Sequence, residues 1–357
     1  MRVLALTKYG AQSASTRQRF LLYRQHLERN GVALDVSPFI DDRSFADVAK
    51  GQRITAWSAA RSYARRLTAL ARAGRYDVIW LHYEALPYLP GPIEALALLP
   101  GVPVVFDYDD ANFHVYDRHP NPAVRRLLGS KFERLLRGAT AAICGNDYLA
   151  DYARGFGVET SVVPTVVDTD AIAAKETGTS GDPVVVGWIG SPTTWRTCVA
   201  PALPWLQPQV TALRARLRAV GGGPAADRMP NVDSLAWSEE GEIEMIRSMD
   251  IGIMPLNDTP FERGKCGYKL IQYMACGLPT IASPVGVNRD IVIDGETGFL
   301  AATPEQWNEA LHKLVTDPAL RQRMGEAGRR RAEERYSLWS QQDRVLSILH
   351  GAAEAGK

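Results

Sequence analysis

Apolar and polar positions alternate along this chain in the rhythm of short buried strands separated by amphipathic helices. Residues 3–6 form an uninterrupted apolar run, 8–16 a polar loop, and 17–30 a stretch with apolar positions at helical spacing that stops at Gly31. A second run at 32–36 leads into a long helical region, and further short runs follow at 78–81, 102–106 and 141–144. Strands and helices taken in turn predict a parallel sheet with helices on both faces.

The rhythm pauses at 168–183, where Lys175-Glu-Thr-Gly-Thr-Ser-Gly-Asp-Pro has no apolar period and reads as a linker. A second series then begins, with strands expected at 184–189, 217–220, 232–235, 251–255 and 280–283, helices across 304–335 and a last helix over 338–353. Two α/β halves create a cleft, and parallel sheets bind ligands beyond the carboxyl ends of their strands. The loops after Leu6, Phe106, Ile189 and Pro255 are therefore expected to face one another.

Length agrees with this division, since 357 residues allow about two domains with a core each. A net charge of +1 argues against a nucleic-acid partner held by bulk basicity. Cys144, Cys198, Cys266 and Cys276 form no C-x-x-C pair and have no histidine at metal spacing, which fits reduced thiols and a cytoplasmic location. The first apolar run is too short for a signal peptide, and no run reaches the roughly 18 residues of a membrane span. Pro100 and Pro103 break the longest, so any membrane contact is expected to be peripheral.

The densest chemistry lies in 260–288, where a polar loop runs into a short helix and then an apolar strand. Gly264 and Gly267 let the backbone approach a ligand, and Lys265 and Lys269 bring positive charge to a helix N-terminus that already favours phosphate. The helix is expected from 268 to 276, ending at Gly277 with Pro279 beyond it. The plain alternative is a pair of solvated loop lysines.

Three blocks, Val186-Gly-Trp-Ile-Gly-Ser, Tyr268-Lys-Leu-Ile-Gln-Tyr-Met-Ala-Cys-Gly-Leu-Pro and Glu296-Thr-Gly-Phe-Leu, resemble in order and spacing the nucleotide-sugar half of glycosyltransferase family 4. Ala14-Ser-Thr-Arg, Asp107-Tyr-Asp-Asp and Val163-Pro-Thr-Val-Val-Asp168 resemble its first half. The resemblance implies the GT-B fold: a Rossmann-like acceptor domain over 1–175, a Rossmann-like donor domain over 183–335, and a final helix, 336–357, packing back on the first. It also implies sugar transfer from a nucleoside diphosphate to an acceptor hydroxyl, with retention and without a required metal or other cofactor.

The family carries two glutamates in this block, and aligning Met274 puts Gly264 at the first position and Gln272 at the second. Gln272 is then expected at the ribose, and Glu262 or Lys265 are the candidates to replace the first glutamate. Gly267 matches the glycine whose neighbouring amides receive the diphosphate, with Cys266, Tyr268 and Lys269 beside it. Gly190, Ser191 and Thr194 follow the first strand of the second half, where the hydroxyls are expected to hold phosphate oxygens, with Arg196 a further cation.

On the acceptor side, Asp107 and Asp109 stand where many members place a histidine, and they are expected to bind sugar hydroxyls or help deprotonate the acceptor. Capping by Asp109 or Asp110 is the bland alternative. Arg17 at the first loop-to-helix junction, His82 and Glu84 complete the acceptor group, while His114 and His119 are candidates by proximity alone. Residues 48–76 contain Lys50, Arg53, Arg61, Arg65, Arg66, Arg72 and Arg75 with no acidic residue, a pattern that fits either contact with an anionic membrane or a lipid diphosphate, or equally a solvated helix face.

The sequence thus points to a cytoplasmic, peripherally membrane-associated transferase of glycan or lipid-linked acceptors in polysaccharide or glycoconjugate assembly. A noncatalytic nucleotide-sugar or glycan-binding subunit and a GT-B nucleotide-sugar epimerase are its rivals.

Overall fold

The computed structural model describes residues 1–49, 54–98, 101–176 and 181–356. Lys50 and Arg53 of the basic stretch, and residues 177–180 of the expected linker, lie outside these. The chain forms two compact units. The first comprises Met1–Thr165, Arg263–Cys266 and Gln341–Lys357, and the second Val166–Glu262 and Gly267–Ser340.

The first unit holds a six-stranded parallel sheet of β1 (Arg2–Tyr9), β2 (Ala33–Ile40), β3 (Val78–His82), β4 (Val104–Tyr108), β5 (Ala141–Cys144) and β6 (Glu159–Val162), in the order β2-β1-β3-β4-β5-β6. Every residue of β3, β4 and β5 is buried, as expected of central strands covered on both faces. Phe106, Phe132, Leu135, Leu149 and Ala153 anchor the core on one side of this sheet.

The second unit repeats the plan with β7 (Val185–Ile189), β8 (Arg216–Val220), β9 (Val232–Leu235), β10 (Ile251–Met254), β11 (Thr280–Ala282) and β12 (Gly298–Leu300), ordered β12-β11-β10-β7-β8-β9 and parallel throughout. The Tyr268–Ala275 helix packs on the Pro318–Tyr336 helix so closely that a Cβ on Gly325 would lie 2.0 Å from the Gly277 carbonyl oxygen.

The expected strands are all present, and two edge strands, β6 and β12, escape the apolar pattern because they are short and only partly buried. β4 is displaced two residues from the expected 102–106, which draws Asp107 out of the loop and into the strand. His82 likewise ends β3 and pairs in register with Asp107. The expected helix over 17–30 is broken into a wide π turn at Arg17–Leu21 and a helix at Arg24–Arg29.

Candidate active site

In the first unit the carboxyl ends of β3 and β4 carry a closed polar network. Arg19 reaches Asp107 Oδ1 through Nε at 2.9 Å and Nη2 at 2.8 Å, and donates from Nη1 to the Val163 carbonyl at 2.6 Å. Trp80 Nε1 donates to the second Asp107 oxygen at 3.0 Å. Burial raises the Asp107 pKa, with Arg19 opposing it; burial also works against the Arg19 charge, but Asp107 and Asp109 more than offset that.

Asp109 accepts from the Tyr83 hydroxyl and lies 3.5 Å from His82 Nε2. Burial alone would raise its pKa; the hydrogen bond and charge of His82, with Arg19, bring it down to about 2. Tyr83 has φ 62, a conformation costly for a bulky side chain, and its ring stacks on His82 at 3.9 Å between centroids. Asp109 is thus spent on Tyr83 and His82 rather than on a helix cap.

Glu84 is equally committed. Lys131 Nζ lies 2.7 Å from Glu84 Oε2 and 2.8 Å from Glu94 Oε2 and donates to the Leu86 carbonyl at 2.6 Å, while the Tyr116 hydroxyl donates to Glu84 at 2.8 Å. His82, Glu84, Asp107 and Asp109 are all at most 3% exposed. All four are therefore interior groups, with His82, Asp107 and Asp109 at the ends of β3 and β4 and Glu84 held in a separate cluster around Lys131. Arg17 folds over its own loop, donating to the carbonyls of Ala11 at 3.2 Å and Gln12 at 2.8 Å. His114 lies apart, between Asp117 at 2.9 Å and the Tyr148 hydroxyl at 2.8 Å.

The segment Arg263–Cys266 belongs to this unit through packing that the sequence does not announce. Asn146 caps the Asp147–Arg154 helix through Oδ1 and with Nδ2 donates to the carbonyls of Gly264 at 3.1 Å and Lys265 at 2.9 Å. A Cβ on Gly264 would stand 2.4 Å from the Ala111 Cβ, so no side chain fits there without moving the turn after β4. Glu262, at the end of the preceding short turn, is tied to the Thr259 hydroxyl.

In the second unit Gly267, at φ 67, opens the Tyr268–Ala275 helix without a side-chain cap of its own, and its carbonyl accepts from the Leu270 amide at 2.9 Å. A Cβ on Gly267 would collide with Ile291 at 2.2 Å. The Lys269 stem lies along Gly190, where a Cβ would stand 2.6 Å from Lys269 Cε and 2.6 Å from the Trp188 ring. Ser191 accepts from the Thr194 amide at 3.3 Å, and the two hydroxyls lie 3.1 Å apart. The carboxamide of Gln272 is 2% exposed, yet its Nε2 has no hydrogen-bond partner among the described residues. Such an orphan costs about 1–3 kcal/mol unless a ligand meets it.

The structure thus assembles Gly190, Ser191, Thr194, Gly267, Tyr268, Lys269 and Gln272 within the second unit and holds Lys265 and Cys266 within the first. Sequence reading missed Asn146, although an asparagine after an apolar run and a glycine is a capping signal. It also passed over Arg19 in favour of Arg17, and missed Tyr83, Lys131 and Glu94, whose roles arise from contacts between distant segments.

Comparison with known proteins gives this arrangement a family. The model described as Glycosyl transferase 4-like domain matches residues 1–166, and the one described as Glycosyl transferases group 1 matches 231–331. The D-inositol 3-phosphate glycosyltransferase of Actinosynnema mirum is 26% identical over 326 residues, covering 81% of this chain and 75% of that protein. Among solved structures, sucrose-phosphate synthase from Thermosynechococcus elongatus superposes with a TM-score of 0.73 at 15% identity, over 99% of this chain and 100% of that one. HepE from Anabaena in complex with UDP-glucose gives 0.69 at 16% identity, over 98% and 100%. These likenesses establish the GT-B fold, and with the matches across both halves they show that the chain belongs to glycosyltransferase family 4.

Proposed function

We propose that this protein transfers a hexosyl group from a nucleoside diphosphate sugar to a glycan, lipid-linked or other glycoconjugate acceptor, with retention and without a required metal. The observation that carries the reading is the donor-side group. It combines a helix opened by left-handed Gly267, a lysine laid along Gly190, and a buried Gln272 whose Nε2 has no hydrogen-bond partner among the described residues. The structural neighbour HepE binds UDP-glucose, which makes uridine diphosphate sugars the first donors to test.

In the reaction the bond from the anomeric carbon to the diphosphate oxygen breaks, the acceptor oxygen bonds to that carbon, and the acceptor hydroxyl's proton passes to the departing diphosphate oxygen. Negative charge collects on the leaving diphosphate. Within the second unit, the N-terminal end of the helix opened by Gly267, Lys269 and the Ser191 and Thr194 hydroxyls are the proposed stabilisers of that charge, with Lys265 a further proposed donor-binding residue. Gln272 takes the ribose. Asp107 and Asp109 are proposed as positioning groups, holding Arg19, Trp80, Tyr83 and His82 beneath the acceptor rather than touching it. We place the enzyme in the cytoplasm, peripheral to the inner face of a membrane, in polysaccharide assembly.

Thermal-shift titration with uridine and guanosine diphosphate sugars, followed by product analysis, tests this. Lys269→Ala is expected to weaken donor binding by about tenfold or more, the loss of one charge-assisted contact. Absence of any stabilisation by either nucleotide series would refute the donor site. A second reading, a binding subunit without transfer, is favoured by the lack of room for a carboxylate at Gly264; stabilisation without product would select it.

A further inference from the structure

We propose that the outer face of the Ala56–Ala71 helix, continued by residues 88–96, is a docking surface for an anionic lipid bilayer. The proposal rests on the peripheral location in the reading above and names the surface responsible. The helix turns Ser62, Arg66 and Leu70 into the first unit. At about 100° per residue, Trp57, Ala60, Ala64, Leu67 and Ala71 fall within an arc of about 80° on the opposite side. All five are exposed, Trp57 by 81% and Leu67 by 52%.

Arg61 and Arg72 flank this arc on one side, with Arg75 just beyond the helix, and all three are exposed. Arg65 is excluded, because it is held by Asp41 at 3.1 Å and by the carbonyls of Pro38 and Phe39. On the other side the arc meets Tyr63, whose hydroxyl donates to the Pro87 carbonyl. That bond brings the turn at 87 alongside, where Tyr88 is 65% exposed, and the Gly91–Ala97 helix that follows exposes Ile93 by 52% and Leu96 by 69%. An apolar strip with an arginine margin results, and no acidic residue occurs between 54 and 76.

The charge pattern selects the occupant. A protein partner would need carboxylates placed against separate arginines, whereas a bilayer receives tryptophan and leucine at the acyl boundary and arginine in the phosphate layer in one plane. Isolated exposed apolar residues are ordinary, but a tryptophan this exposed beside four more large apolar side chains is not.

The test uses the full chain and vesicle co-sedimentation. Binding is expected to vesicles in which about a third of the lipid is phosphatidylglycerol, about tenfold or more above pure phosphatidylcholine. Each arginine contributes about fivefold at such a surface, so Arg61→Ser with Arg72→Ser should lose about 25-fold, and Arg61→Lys with Arg72→Lys should retain binding. Trp57→Ser with Leu67→Ser should lose about tenfold. Wild-type binding that ignores lipid charge, or serine variants that bind as wild type, would overturn the proposal. So would self-association abolished by Trp57→Ser. A retained thermal shift with donor nucleotide shows each variant folded, and lipid binding without any donor shift would sink the donor reading while leaving this one standing.

Discussion

Arg19 and Asp107 show how a residue can be indispensable without meeting a substrate. Both are buried, and Asp107 satisfies Arg19 and Trp80 together. Removing one partner leaves an uncompensated interior charge, so Arg19→Met should cost about 3–5 kcal/mol in urea unfolding, and Arg19→Met with Asp107→Leu should recover part of it. Asp109 carries a signature in pH instead. Its folded pKa, about 2, lies below the unfolded value of about 3.9, so its stabilisation is complete above that value and is lost as pH falls toward the folded one. Asp109→Asn should therefore flatten acid unfolding between about pH 4 and pH 2, read by circular dichroism. Cys144 and Cys276, pushed up to about 12 by burial, should resist alkylation at pH 8 while half-buried Cys266 is labelled.

At the scale of elements, one asparagine joins two segments far apart in sequence. Asn146 caps its own helix and bonds the carbonyls of Gly264 and Lys265. Asn146→Ala removes about 1 kcal/mol of capping and the two hydrogen bonds to the Gly264 and Lys265 carbonyls, a total of about 2–4 kcal/mol. The expected outcome is a lower melting temperature together with faster amide exchange in 263–266, and a change at the cap alone would contradict the link. The donor-side helix was the most legible element, because a glycine before it, an apolar face within it and Gly277 after it are all local signals. The expected end lay within one residue of the observed Ala275. The helix over 17–30 was misjudged because its period does not register the π turn that swings Arg19 toward Asp107.

For the molecule as a whole, the two units are each interleaved in sequence, since Gln341–Lys357 belongs with the amino-terminal one. Within that unit His26 meets Asp343 at 3.0 Å, and Arg344, Ile348 and Ala352 line a cavity of about 300 Å³ against Thr140 and Ser161. A chain ended at Ser340 is expected to lose exchange protection throughout 1–165 while 166–340 keeps most of its own; uniform loss would show that the units do not unfold separately. By itself, the sequence determined the alternation of strands and helices, the two sheets, the family, and the glycines and lysines that border the Tyr268–Ala275 helix, because apolar period and turn chemistry act between neighbours. Only the tertiary structure decided that Asp107, Asp109, His82 and Glu84 face inward, that Gly264 has no room for a side chain, and that Lys269 lies along Gly190. Those outcomes depend on burial, charge pairing and packing between segments tens to hundreds of residues apart, where no local pattern carries the information. The same holds for the Gly267 helix: the glycine that opens it is a local signal, but the course of Lys269 along Gly190 and the burial of the Gln272 carboxamide were decided by the fold.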